Sequence, residues 1–154
     1  MDKKEVFDSL LKEIKKIAET TFDSEEKLLR ICKLLKEKVP YYNWVGFYIA
    51  DNAKKELHLG PYVGEPTEHT KIPFGRGICG QAVARKETFI VQDVSKETNY
   101  LSCSVKVKSE IVVPVFKGKT VVAEIDIDSH EISPFTTEDQ YFLEQLAKII
   151  GNLL

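Results

Sequence analysis

Two stretches carry residue types that can do chemistry. GRGICGQA, residues 75–82, sets Cys79 between glycines, and LSCS places a second thiol, Cys103, further along the chain. AEIDIDS puts Glu124, Asp126 and Asp128 on one face of a strand, with Ala123, Ile125 and Ile127 on the other. Asp is a poor strand former, so two of them at i and i+2 in an apolar strand call for a reason. Either these acids face solvent, or they are buried together with Glu110 from the preceding strand. Buried carboxylates repel one another, so in the second case a cation sits among them or one stays protonated with a raised pKa. A primary ammonium would meet the first need, and a neutral carboxyl would supply a proton to a reaction.

Cys79 falls at the first turn of a helix entered through GRG. Helix-start amides and Arg76 favour a thiolate there, or bind an anion such as a ligand carboxylate. Cys103 lies in an irregular stretch with Lys106 and Lys108 near it in sequence. Cys32, on an apolar helix face, reads as a core residue. His58, His69 and His130 have no metal-ligand spacing, and no metal or cofactor is expected. In NWVGFY, alternation puts Trp44, Gly46 and Tyr48 on one face. Gly46 then either leaves a gap between two aromatic walls, suited to a small ligand, or marks a bulge or close contact in a core.

The elements that position these residues follow from hydrophobic period. Val6, Phe7, Leu10, Leu11, Ile14 and Ile17 predict an amphipathic helix over about residues 2–20. Ser24 or Asp23 caps a second, which ends before Pro40. NWVGFYIA and KELHLG form a hairpin around Asp51-Asn52-Ala53, and a loop runs from Pro61 to about Thr70. A short helix covers 77–85, and TFIV is a strand. SEIVVPVF and TVVAEIDID form a second hairpin around Lys117-Gly118-Lys119. Thr136-x-x-Asp139 or Thr137-x-x-Gln140 opens a C-terminal helix. This order predicts an α+β domain with a mainly antiparallel sheet, terminal helices on one face and a pocket-covering loop and helix on the other.

With 154 residues, 43% hydrophobic and 30% charged, the chain has the size and balance of one globular domain over 1–154. A net charge of -2 offers no electrostatic case for nucleic acid or an acidic membrane. No apolar run approaches the ~20 residues of a membrane span, and MDKKEVFDSLLKE is amphipathic rather than a signal peptide. Three cysteines do not make a secreted disulfide framework, so the cytoplasm is expected.

NWVGFY, LGPYVGEP, KIPFGRGICGQAVA, SEIVVPV and IDIDS resemble, in order and spacing, the free methionine-(R)-sulfoxide reductases built on a single GAF domain. The similarity runs from about Tyr42 to the final helix. It implies a six-stranded antiparallel sheet, a closed pocket, and a homodimer through the terminal helices. It implies reduction of free methionine sulfoxide to methionine, with a thioredoxin-like donor restoring the thiols. The nucleophile would be the cysteine seven residues before the glutamate of SEIV, here Cys103 before Glu110. Cys79 would be the resolving thiol, and Trp44, Tyr48, Glu110, Asp126 and Asp128 the substrate cage. Among these acids Asp128 is the expected proton donor, because two like charges nearby would raise its pKa, although spacing does not decide which acid holds the ammonium and which gives the proton.

Two departures stand out. His69 replaces a cysteine that many members carry before the KIP motif, and Glu124 takes a position that is usually apolar; a subunit contact is one place for it. The competing class is a non-catalytic GAF sensor, since the fold alone warrants no activity. Against it, the chain shows no output linker or effector domain, and a thiol pair has no use in passive binding.

Overall fold

Helix α1 (Lys3–Ala18) starts where the Asp2 carboxylate accepts a hydrogen bond from the Glu5 amide, and α2 (Ser24–Lys38) where Asp23 accepts from Glu26. Asp23, not Ser24, is therefore the cap. The structure is a computed structural model describing residues 2–101 and 104–154. Strands β1 (Trp44–Asp51) and β2 (Glu56–Val63) form the first hairpin, followed by β3 (Lys71–Pro73), α3 (Gly77–Arg85) and β4 (Phe89–Val91). The second hairpin is β5 (Ser109–Lys117) and β6 (Thr120–Ser129), turning at Gly118 with φ +63°. Helix α4 (Thr137–Gly151) opens on the Thr136/Asp139 capping box.

The strands make one sheet in the order β3-β2-β1-β6-β5-β4, with every neighbouring pair antiparallel. One face carries Val45, Phe47, Ile111, Val113, Ile125 and Ile127 into a core with Phe7, Ile14, Ile31, Leu35, Phe142 and Leu146 of α1, α2 and α4. Each fully buried side chain of this size contributes ~1.5–3 kcal/mol. The other face carries Trp44, Tyr48, Val112 and Val121 against Ile78, Cys79, Ala82 and Val83 of α3. The expected α+β layering is what forms.

Three local expectations change. Strand β2 continues through Pro61 instead of ending there. Gly46 pairs with Tyr62 and Tyr48 with Leu59, so Phe47 opposes both Gly60 and Pro61. A bulge of this kind leaves an unpaired position at which a proline's missing N–H costs no ladder bond. Edge strand β3 falls inside a stretch with no assigned element, because three residues carry no readable period. A 3-10 turn at Val94–Lys96, held by the Asp93 side chain, was likewise not expected.

Candidate functional site

Backbone register lays out the acids in rows. Glu110 of β5, Asp128 of β6 and Trp44 of β1 lie side by side across the sheet. The next row is Val112, Asp126 and Gly46, and the third is Pro114, Glu124 and Tyr48. Period-2 alternation turns all of these toward α3. Glu124, Asp126 and Asp128 are at most 2% exposed, and Glu110 is 6% exposed. The solvent-facing alternative for the acids is thereby ruled out, and Glu124 is enclosed by its own chain rather than presented to a subunit contact.

Above them sits the start of α3. Gly75 (φ +92°) and Gly77 (φ +66°) adopt left-handed backbone, and a Cβ on Gly80 would stand 2.7 Å from the Pro73 carbonyl oxygen. This tight loop delivers Cys79 into the sheet face. Its Sγ, an oxygen of Glu110 and an oxygen of Asp126 all lie within 4.8 Å of one another. Both Cys79 and Cys32 are free thiols, but Cys32 is wholly buried in the opposite core, beneath the other face of the sheet. Cys103, expected as the nucleophile, lies outside the described residues.

Burial dominates the electrostatics. It pushes Glu124 and Asp128 well above the ordinary carboxylate range, helped in each by the charge of Asp126. Asp126 is raised as well, by burial, and hydrogen bonding with Glu110 and Cys79 offsets part of this. Both oxygens of Glu124, Oδ1 of Asp126 and Oδ1 of Asp128 have no hydrogen-bond partner among the described residues. Burial also drives the Cys79 thiol well up, with Asp126, Glu124 and Glu110 adding to the effect. The helix-start argument for a Cys79 thiolate is therefore overturned, because burial, reinforced by the nearby carboxyls, outweighs the few amides of one turn. The Gly77 amide is not available to a ligand either, since it donates to Asn99 Oδ1 at 2.8 Å.

The aromatic pair frames the site differently from a simple gap. Trp44 folds its indole over Gly46 and stacks on Tyr62 at 5.3 Å between centroids, filling the space that the glycine opens. Its Nε1 donates to the Glu65 carbonyl at 3.0 Å, and Tyr48 Oη donates to the His69 carbonyl at 2.8 Å. Both aromatics thus anchor the 64–70 loop that roofs the acids. Leu101 closes against Gly77, and Asn99 and Gln81 tie the 99–101 stretch to α3. Asn99 and Gln81 escaped sequence reading because their partners carry no local pattern.

Two small cavities remain beneath this roof. One, about 10 Å³, is lined by Tyr48, His69, Arg76, Cys79, Glu110 and Asp126, among others. The second, about 30 Å³, is lined by Trp44, Glu65, Ser104, Val107, Asp128 and His130, with Asn43. Asp126 and Asp128 each line one. The wider surface depressions, beside Phe116 and Glu144 and beside Leu29 and Tyr62, contain none of the candidate residues. Chemically, the arrangement can hold a cation among acids or deliver a proton from a neutral carboxyl, next to a thiol.

A curled antiparallel sheet with helices on one face and a roofed pocket on the other is the architecture of a GAF domain, and the GAF domain family matches residues 23–154. GAF domain-containing protein A of Dictyostelium discoideum is 35% identical over 97% of this chain and 93% of its own. The free methionine-R-sulfoxide reductase of Escherichia coli is 36% identical over 79% of this chain and 72% of its own. The Neisseria meningitidis free methionine-R-sulfoxide reductase, solved in complex with its substrate, is 36% identical with a TM-score of 0.94, covering 99% of this chain and 90% of that one. The chain belongs to the GAF-domain family and, within it, to the free methionine-R-sulfoxide reductases.

Proposed function

We propose that this protein reduces free L-methionine-(R)-sulfoxide to methionine. The observation that carries this reading is the buried acid face: Glu110 and Asp126 stand beside Cys79, Asp128 follows on the same face of the sheet, and Oδ1 of Asp126 and Oδ1 of Asp128 have no hydrogen-bond partner among the described residues. A free amino acid supplies the ammonium such a face lacks, and the named relatives act on free methionine sulfoxide. Trp44 and Tyr48 shape the pocket for the sulfur and methyl end.

In the proposed chemistry, the Cys103 thiolate attacks the sulfoxide sulfur while Asp128 protonates the oxygen. The protonated oxygen leaves the substrate sulfur as water, a water oxygen then bonds to the Cys103 sulfur as the new S–S bond breaks, and methionine departs, leaving Cys103 as a sulfenic acid. The Cys79 sulfur then attacks it, forming a disulfide and releasing water. A dithiol of the thioredoxin class reduces that disulfide by exchange and becomes oxidised itself. As the Cys79–Cys103 S–S bond forms, the Cys79 thiol proton leaves with the sulfenic hydroxyl as the water released. Residues 1–154 act as a single GAF unit, a homodimer through the terminal helices, in the cytoplasm. Among the described residues no helix is long and apolar enough to cross a membrane.

The test is incubation with racemic free methionine sulfoxide and dithiothreitol, measuring methionine. Consumption of the R isomer alone is expected, with N-acetylated or peptide-bound sulfoxide a poor substrate, because the acids would lose their cation. No consumption of either isomer would favour a ligand sensor, and equal turnover of free and bound substrate would remove the acid cage.

A further inference from the structure

We propose that Cys79, Glu110 and Asp126 form a binding site for one thiophilic divalent cation of the Zn²⁺ class, seated within the acid face. Three elements, α3, β5 and β6, bring a thiol and two carboxylate oxygens within 4.8 Å of one another, and all three residues are buried. Bonds of ~2.3 Å to sulfur and ~2.0–2.2 Å to oxygen around one Zn²⁺ need only a modest contraction of that triangle.

Further observations point to an ion there. The cavity these residues line measures about 10 Å³, close to the ~10–15 Å³ of a single water-sized occupant. It admits an ion as folded, whereas an amino acid requires the roof to move. Asp126 lines this cavity with Oδ1 unpartnered. A bound dication displaces the carboxyl and thiol protons and takes their place between the three ligand atoms. The sulfur selects Zn²⁺ or Cd²⁺ over Mg²⁺ and Ca²⁺, which want oxygen ligands in larger number. Where the proposed reductase activity holds, the ion competes with the substrate ammonium for Asp126 and occupies the resolving thiol, and so inhibits.

The experiment uses the reduced full chain, titrated calorimetrically with ZnCl₂ and, in parallel, with CdCl₂ while recording the ultraviolet thiolate-to-cadmium band. One ion per chain and a clear band are expected. Cys79→Ser should abolish the band and weaken Zn²⁺ at least ~tenfold. Asp126→Asn should weaken Zn²⁺ by a similar factor and keep the band. Cys32→Ser, Cys103→Ser and His58→Ala should retain both signals, the last excluding the exposed Asp51, Glu56 and His58 group. Absence of binding overturns the site, as does a band that survives in Cys79→Ser, binding indifferent to Asp126→Asn, or binding lost in His58→Ala. Circular dichroism of each variant, and the wild-type band itself, guard against misfolding. These signals do not depend on turnover, so an inactive protein that binds Zn²⁺ refutes only the reductase reading, and an active one that does not refutes only the metal site.

Discussion

The indole of Trp44 lies across Gly46, so close that a Cβ there would stand 2.5 Å from Cη2 and 2.7 Å from Cζ3. Gly46 is what allows the ring to lie on the sheet and its Nε1 to reach the Glu65 carbonyl. Gly46→Ala must push the ring or Tyr62 aside. A loss of ~1–3 kcal/mol is expected, read by chemical denaturation. The emission of Trp44, the single tryptophan, should shift in the native state. A variant with unchanged midpoint and emission would mean that the ring relocates freely.

Asp126 and Asp128 line different cavities, which separates their expected roles. Asp126→Asn should chiefly raise KM by weakening the ammonium contact. Asp128→Asn should chiefly lower kcat, by ~10²-fold or more for a lost general acid. Steady-state kinetics with the free sulfoxide decides this. If both variants alter only KM, the proton comes from elsewhere.

The thiols should divide cleanly. Cys103→Ser should abolish reduction, since a hydroxyl is a far weaker nucleophile toward sulfoxide sulfur. Cys79→Ser should release one methionine per site and stop as a dimedone-reactive sulfenic acid when thioredoxin is the reductant. Cys32→Ser should change packing only, as burial alone keeps that thiol protonated. Single-turnover release with mass spectrometry distinguishes these outcomes, and a methionine burst from Cys103→Ser but not Cys79→Ser reverses the two assignments.

Glu124, Asp126 and Asp128 give the ligand-free protein an unusual pH response. Their folded pKa values lie above the ~4 of an unfolded chain, so above pH ~4 the native state binds more protons than the unfolded one. This contribution is fully present below the unfolded value and is lost as pH rises through the folded ones. Unfolding free energy of the reduced protein should fall as pH rises from ~4 through the folded values, and Glu124→Gln should flatten the slope. An identical slope in Glu124→Gln would mean that this carboxyl is already ionised in the fold.

Asp139 carries the opposite sign. Burial alone would raise it, but hydrogen bonds from Lys3 Nζ at 2.6 Å, the Thr136 amide at 2.8 Å, Tyr41 at 2.7 Å and Tyr42 at 2.8 Å hold it below the usual range. Its contribution is present above pH ~4 and is lost as pH falls through the folded pKa. Asp139→Ala should cost at least ~2 kcal/mol, since a buried phenol hydroxyl such as that of Tyr42 costs ~1–3 kcal/mol when left without an acceptor and the half-buried Tyr41 adds to this. Thermal melts at neutral pH test this, and a loss under ~0.5 kcal/mol would show that water replaces the carboxylate.

Side-chain alternation and helical period are local properties, and what depended on them was legible from sequence. IDIDS by itself put Asp126 and Asp128 on one face, NWVGFY put Trp44 with Tyr48, and Thr136 with Asp139 marked the start of α4. Which face is buried is a different kind of fact. Only the packing of α3 and the 64–74 segment over the sheet turns three acids from surface groups into buried carboxyls whose pKa values are raised by desolvation. The same packing reverses the expectation for Cys79. The local influence of a helix start acts over one turn, but desolvation and carboxyls from two distant strands act on the thiol at closer quarters. Gly46 shows the point at smaller scale. Its missing Cβ is visible in the sequence, yet whether the space becomes a pocket or a bed for an indole is set by where the Trp44 ring stacks, on Tyr62 from the neighbouring strand.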